Sequence, residues 1–211
     1  MTPGKTNTWV TEMEEYWARQ HETQNVEMLA DYSFKQIQNY LDLIDYTKNG
    51  IRILDIGIGT GKETIQMAKL GMEVYGLDIT MKAYWTVMDV VKDFWLFEDI
   101  EQLPMDTFDL AICHLVAQHN TDENLKRLMT YTIKSLKRDA VFAIQYATRL
   151  NKNHRTDDSL ESQKAGTVCR TQGEMRKLVF QCKGIIIHEC KTVDYPEAGM
   201  SWNGLHITRH L

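Results

Sequence analysis

The chain has 211 residues, of which 43% are hydrophobic and 25% charged, and a formal net charge of -5. This length and composition fit one globular domain with a full core and exclude a disordered chain. The net acidity and the absence of a dense Lys or Arg run argue against a general nucleic-acid-binding surface.

The ends and the cysteines indicate a cytoplasmic protein. The first residues lack the apolar segment of a signal peptide, and no apolar run approaches the roughly 20 residues of a membrane span. The four cysteines form no C-x-x-C pair, so we expect free thiols in a reducing compartment and no structural metal site.

The predicted elements begin with a helical region, in which Tyr16 and Trp17 belong to an apolar series at helical spacing. From residue 51 strands and helices alternate, which predicts a mainly parallel sheet with right-handed crossovers, ending in an antiparallel hairpin. A polar stretch at 147–170 is long for a loop and typical of functional segments. The predicted ranges are strand 51–56, helix 62–70, strand 73–77, helix 81–91, strands 94–97 and 110–113, helix 122–136, strand 140–146, helix 171–182 with Thr171 as its N-cap, and strands 185–190 and 205–210.

The segment from Asp55 to Gly61, with sequence DIGIGTG, links the first strand to the following helix. Glycine-rich turns of this kind bring backbone N–H groups close to a ligand. The dinucleotide pattern G-x-G-x-x-G fails because Lys62 takes its last position, and the P-loop pattern fails because Glu63 follows Gly61-Lys62. What remains is G-x-G-x-G after Asp55, whose carboxylate would repel a pyrophosphate but suits the cationic S-adenosylmethionine.

A second acidic residue, Asp78, ends the second strand 21 positions after Gly57. In this topology an acidic group there accepts hydrogen bonds from ribose hydroxyls. Because NAD-binding folds share this feature, it supports an adenosyl ligand without choosing one.

Together with the segments 98–104 (EDIEQLP) and 108–110 (FDL), these motifs resemble those of class I S-adenosylmethionine-dependent methyltransferases, and the small methyltransferase-11/25-like group in particular. The resemblance covers about residues 50–146. It implies a Rossmann-like, mostly parallel seven-stranded α/β sheet in the order 3-2-1-4-5-7-6, with strand 7 antiparallel. It also implies one domain over 1–211, with an N-terminal helical lid at 1–48, a core at 49–211 and an acceptor loop at about 147–170. The implied cofactor-binding residues are Asp55, Gly57, Gly59, Gly61, Asp78, Ile79, Asp99, Ile100, His114, Tyr16 and Trp17.

On the acceptor side, the segment 113–119 follows the fourth strand at the edge where open α/β sheets bind ligands. We expect His119 to act as a base, because a neutral histidine accepts a proton near pH 7; the alternative is a local hydrogen-bonding role. Tyr16 and Trp17 would cover the cofactor, although their spacing also fits core packing. His154 and Arg155, in the polar loop, are the predicted acceptor contacts.

The sequence therefore predicts a cytoplasmic methyltransferase that uses S-adenosylmethionine, yields S-adenosylhomocysteine and methylates an oxygen of a small hydroxylated or sugar-like acceptor. The alternatives are an N-methyltransferase, an RNA methyltransferase, a nucleotide-dependent oxidoreductase and a non-catalytic subunit that keeps the cofactor. Neither a membrane partner nor a metal is expected.

Overall fold

The computed structural model describes residues 14–19, 40–45, 47–149, 168–195 and 200–209. Within them, seven strands form one sheet in the order β3-β2-β1-β4-β5-β7-β6. The first five strands are parallel to one another, whereas β7 runs antiparallel to both β5 and β6. This confirms the predicted order and the antiparallel seventh strand. The strands are β1 (Arg52–Ile56), β2 (Glu73–Asp78), β3 (Phe94–Leu96), β4 (Phe108–Cys113), β5 (Leu136–Arg149), β6 (Gly184–Tyr195) and β7 (Met200–Arg209).

Four helices with well-defined bounds connect these strands, and residues 14–19 form a further helical segment, called here the N-terminal segment. The sequence explains where three of them start, because Thr80, Thr121 and Thr171 each accept a hydrogen bond from a backbone N–H group of the first helical turn. Thr171 also forms a capping box with Glu174, which confirms the predicted N-cap. The helices are α1 (Lys62–Lys69), α2 (Met81–Val87), α3 (Asp122–Ser135) and α4 (Gln172–Gln181).

The core lies on both faces of the sheet because successive side chains of a strand point to opposite sides. Leu54 joins the cluster beneath α3 and α4, whereas Ile53, its neighbour, joins the cluster beneath α1. Both are completely buried. This double burial explains why β1 is a continuous apolar run, as expected for a central parallel strand.

Several predicted bounds are wrong: β5 starts at Leu136 instead of residue 140, β6 ends at Tyr195 instead of residue 190, and β7 starts at Met200 instead of residue 205. Helix α2 ends at Val87 instead of residue 91, where turns through Val90 and Val91 return the chain to the edge strand. Strand β5 is longer than predicted and reaches Arg149, because β7 pairs with it along its second half. Residues 147–149 of the predicted loop are therefore part of β5. No helix among the described residues is long and apolar enough to cross a membrane.

Candidate functional site

The glycine-rich turn occupies the carboxyl end of β1. Gly57, Gly59 and Gly61 all have positive φ, at 80°, 56° and 78°, a region that glycine adopts without strain. A Cβ on Gly57 would lie 2.1 Å from Val116 Cγ2. The turn therefore requires glycine both for its conformation and for the packing of the segment that follows β4.

Asp78 lies next to this turn, at the end of β2, and is 7% exposed. Its Oδ2 accepts a hydrogen bond from Gly59 N at 3.2 Å and its Oδ1 accepts one from Thr80 N at 3.0 Å. Burial raises the pKa of Asp78 to about 6, against the lowering effect of these backbone donors. The carboxylate is thus oriented by the turn itself, at the predicted ribose position.

Asp55, in β1, is the second buried carboxylate at the turn, and it is 2% exposed. Its Oδ2 accepts a hydrogen bond of 2.5 Å from Thr64 Oγ1. Burial, and then the nearby charge of Glu63, raise the pKa of Asp55 to about 7. The turn therefore holds a concentration of acidic groups that a cation would stabilise.

His114 follows β4 and contacts the same acidic group. Its Nδ1 is 2.8 Å from Glu63 Oε1, and the side chains of His114 and Glu63 are only 6% and 18% exposed. The His114 Nε2 atom is buried and has no hydrogen-bond partner among the described residues. The ring of Tyr40 lies against the imidazole, with 6.1 Å between centroids. The structure thus places the predicted His114 beside the glycine turn, together with Glu63, for which the sequence analysis assigned no role.

The raised pKa values of Asp55 and Asp78 make stability depend on pH. The unfolded chain releases these protons near its ordinary value of 3.8, whereas the folded protein keeps them until about pH 6 to 7. The folded state then binds more protons than the unfolded state, so the contribution of both groups to stability falls as pH rises from about 4 to 7.

We expect Asp55→Asn to flatten this profile, since an amide does not titrate. The difference in unfolding free energy between variant and wild type should change by about 1–3 kcal/mol from pH 5 to pH 8 in the absence of ligand. Urea unfolding at a series of pH values measures it, with the exposed Asp89→Asn as the control. Parallel profiles for Asp55→Asn and wild type would contradict the assignment.

His119 lies in a short 3₁₀ helix, Ala117–His119, beyond β4. Its Nε2 is 3.0 Å from Gln118 Nε2, which also donates to Leu115 O at 2.6 Å. Trp17 lies against the His119 ring, with 4.7 Å between centroids, and Tyr16 packs edge-on against Trp17. The predicted base is therefore in contact with the N-terminal segment.

The N-terminal segment is also attached to α2, because Lys82 Nζ donates to Ala18 O at 3.2 Å. Together with the contact between Trp17 and His119, this bond places residues 14–19 near both the start of α2 and the segment after β4. This is the location expected of a lid. The covering role predicted for Tyr16 and Trp17 remains a prediction.

The predicted adenine contacts lie beyond β3, in a 3₁₀ helix at Phe97–Gln102. Asp99 is exposed and accepts a hydrogen bond from Gln102 Nε2 at 2.8 Å, while the side chain of Ile100 is completely buried. Ile79, after Asp78, packs half-buried against the main core. Asp99 also borders a cavity of about 480 Å³ between α2 and β3. The roles of these three residues in cofactor binding remain predictions.

Arg170 is a residue that the sequence analysis missed. It is 2% exposed, and its guanidinium donates to Ala117 O, Asn120 O and Asp122 Oδ1 at 3.0, 2.6 and 2.9 Å. It therefore fixes the segment around His119 from a position about fifty residues further along the chain. Nothing marked it in a polar stretch of sequence. The predicted acceptor contacts His154 and Arg155 lie outside the described residues.

The glycine-rich turn lies within a part of the chain that is similar to a known protein family. Residues 54–144, from β1 into β5, match a family described as methyltransferase domain. This segment of the chain is similar to a methyltransferase domain. Its class is the one whose methyl donor is S-adenosylmethionine, which confirms the predicted enzyme class and cofactor at the level of the family. No curated protein sequence matches the chain significantly.

Solved structures support the fold of the methyltransferase domain. A geranyl diphosphate methyltransferase in complex with GPP and sinefungin has a TM-score of 0.76 and 9% identity, covering 97% of this chain and 100% of that one. The phosphoethanolamine N-methyltransferase 2 of Haemonchus contortus, in complex with S-adenosyl-L-methionine, has a TM-score of 0.75 and 14% identity, covering 99% and 61%. This chain therefore spans less than two thirds of that protein.

The same fold also occurs in a protein described by a different reaction. The [4+2]-cyclase SpnF has a TM-score of 0.68 and 12% identity, covering 84% of this chain and 80% of that one. Similarity of fold therefore does not name the reaction, and the acceptor has to be argued from the site.

Proposed function

We propose that the protein transfers the methyl group of S-adenosylmethionine to a hydroxyl group of a small acceptor, such as a sugar-like molecule. One observation carries the cofactor half of this proposal: two buried carboxylates, Asp55 and Asp78, flank a turn of three glycines with positive φ. A diphosphate would be repelled there. A ligand with a ribose diol at one end and an ammonium group at the other matches the two carboxylates.

Each residue of the turn then has a defined task. Asp78, held by backbone N–H groups of the turn and of α2, accepts hydrogen bonds from the ribose hydroxyls with its remaining lone pairs. Asp55 and Glu63 stabilise the ammonium and sulfonium charges. Gly57, Gly59 and Gly61 let the backbone approach the methionine part of the cofactor. Asp99, Ile79 and the Ile100 backbone N–H would hold the adenine.

Methyl transfer is an in-line displacement, so the site must align the acceptor atom, the methyl carbon and the sulfur. The electron pair of the broken carbon–sulfur bond stays on sulfur, which leaves S-adenosylhomocysteine. A hydroxyl acceptor also has to lose a proton. Two histidines at the carboxyl edge of β4, His114 and His119, support an acceptor of this kind, with Tyr16 and Trp17 excluding water from above.

An amine acceptor is the second candidate. The aromatic rings of Tyr16 and Trp17 beside His119 suit a cationic group, because cations are attracted to aromatic faces. The Haemonchus contortus protein of similar fold is by its description an N-methyltransferase. The two candidates differ in the acceptor atom and share the cofactor.

Calorimetric titration tests the cofactor half of the proposal. We expect the purified protein to bind S-adenosylmethionine and S-adenosylhomocysteine and to ignore NADH. Binding of NADH alone would favour the oxidoreductase alternative. If folded protein freed of carried-over ligand binds neither sulfur compound, the proposal is wrong.

The acceptor is tested by following formation of S-adenosylhomocysteine with a panel of compounds. Glucose 6-phosphate and nucleotide sugars represent hydroxyl acceptors, and phosphoethanolamine represents amines. Turnover with the first group is expected, and turnover with phosphoethanolamine alone would replace the hydroxyl by an amine. Tight cofactor binding without turnover on any of them would favour the non-catalytic alternative.

A further inference from the structure

We propose that His114, oriented by Glu63, is the group that accepts the proton of the acceptor. This inference rests on the proposed function and assigns its base. The carboxylate of Glu63 lies 2.8 Å from His114 Nδ1, while Nε2 is buried and has no partner in the described part of the chain. In histidines that act as a base, a carboxylate typically orients one imidazole nitrogen, and the other nitrogen is the one that accepts the proton.

The position of His114 in the fold places its ring beside the glycine turn, where the methionine part of the cofactor would bind under the proposed function. The preceding residue, Cys113, pairs with Ile56, which immediately precedes the glycine turn. Val116 fills the space beside Gly57, so the segment after β4 lies directly against the turn. Glu63 lies in the first turn of α1, just after the turn's last glycine.

The contact with Glu63 also selects the tautomer. An ionised carboxylate only accepts hydrogen bonds, so His114 Nδ1 must carry the hydrogen and donate it. In the neutral imidazole Nε2 then has a lone pair and no hydrogen. The carboxylate in contact with the ring is Glu63, which compensates the positive charge that the imidazole gains when Nε2 takes up a proton.

His119 is less suited to this role. Gln118 Nε2 donates to the Leu115 carbonyl at 2.6 Å, which fixes the orientation of its amide, and its second hydrogen is directed at His119 Nε2. The lone pair of that ring nitrogen is therefore occupied. Trp17 packs against the same ring, so His119 acts as a support for the N-terminal segment.

The chemical step balances without a further reactant. The acceptor oxygen forms its bond to the methyl carbon while the carbon–sulfur bond breaks, and the electron pair of that bond remains on sulfur. The hydroxyl proton moves to His114 Nε2. The resulting imidazolium, paired with Glu63, returns the proton to solvent after the products leave.

The test uses sinefungin, which carries an amine where S-adenosylmethionine carries its transferable methyl group. A protonated amine at that position donates a hydrogen bond to His114 Nε2, and S-adenosylhomocysteine has no such donor. We expect His114→Phe to lower the ratio of the two affinities, sinefungin over S-adenosylhomocysteine, about tenfold in calorimetric titrations, because a hydrogen bond to a charged donor is lost. The matched His188→Phe, at an exposed position of β6, should leave the ratio unchanged.

Glu63→Gln tests the positioning role and keeps the shape of the side chain. The amide removes the charged acceptor from Nδ1 and offers a donor there as well, which weakens the preference for a hydrogen on Nδ1. The ratio should therefore fall beyond any loss that both ligands share through their common ammonium group. In the His114→Phe background the same change should have no further effect on the ratio, because Glu63 acts through His114.

The outcomes separate this inference from the function on which it rests. An unchanged ratio in His114→Phe, or a fall in His119→Phe instead, overturns the inference and leaves the methyltransferase intact. Equal losses of both ligands in Glu63→Gln, with an unchanged ratio, would mean that Glu63 does not act through His114. Failure of the wild-type protein to bind either ligand overturns the proposed function, and the inference with it.

Discussion

Replacing Asp78 by alanine should weaken binding of S-adenosylmethionine about 100-fold. The proposed function gives this carboxylate two hydrogen bonds to the ribose, each contributing about 1.5 kcal/mol, and every 1.4 kcal/mol changes affinity about tenfold. The substitution also removes the acceptors of Gly59 N and Thr80 N, so the turn loses part of its support. Calorimetric titration of both proteins measures the change.

The controls for this variant distinguish ribose binding from damage to the turn. Asp78→Asn retains one oxygen acceptor and should give an intermediate loss, while Asp89→Ala, at an exposed position after α2, should bind as the wild type does. Thermal unfolding without ligand reports how far each variant remains folded. If Asp78→Ala binds S-adenosylmethionine with an affinity within threefold of wild type, the ribose assignment is wrong.

Replacing Arg170 by methionine should destabilise the protein by about 3 kcal/mol. The substitution removes the buried guanidinium, so the two backbone carbonyls and Asp122 lose their hydrogen-bond donor. For a chain of this size each kcal/mol lowers the melting temperature by about 2–4 °C, so a fall of about 6–12 °C is expected. Methionine keeps most of the length of the side chain, which limits the cavity. Calorimetric unfolding measures the change.

Arg176→Met is the matched control, since Arg176 pairs with Glu189 at the surface and its side chain is 57% exposed. Exposed ion pairs contribute about 1 kcal/mol or less. Equal melting temperatures for the two variants would contradict the structural role of Arg170.

A second consequence of the Arg170→Met substitution concerns the candidate site. Ala117 and Asn120 flank His119, so the ring contact between Trp17 and His119 should be lost as well. A change in tryptophan fluorescence measures this loss.

The fold was predictable because its signals are local. The apolar run of β1, the glycines after it and Asp78 at the end of β2 each occupy a short stretch, and the spacing between them follows from one strand–helix–strand unit. The order of the sheet followed from resemblance to a family. The length of β5 was not predictable, because its second half is a strand only through pairing with β7, more than fifty residues away.

Some residues of the candidate site were predictable from local sequence, whereas others were found only in the structure. The glycine turn, Asp55 and Asp78 were identified from sequence, because a tight turn limits both the residues and their spacing. The pair of Glu63 and His114 is separated by 51 positions, and Arg170 lies about fifty residues from the carbonyls it holds. A first-turn glutamate is an ordinary feature of a helix N-terminus, so its sequence position gave no sign of a partner.

The sequence by itself determined the alternation of strands and helices, the glycine-rich turn and the acidic residues beside it, because these depend on backbone conformation and on short-range spacing. Only the tertiary structure decided which histidine has a carboxylate on one ring nitrogen and, among the described residues, no hydrogen-bond partner on the other. It also decided which arginine is buried and which aromatic ring contacts His119. Those properties arise when the sheet brings distant segments within hydrogen-bonding distance and removes them from water, and no local pattern encodes that distance.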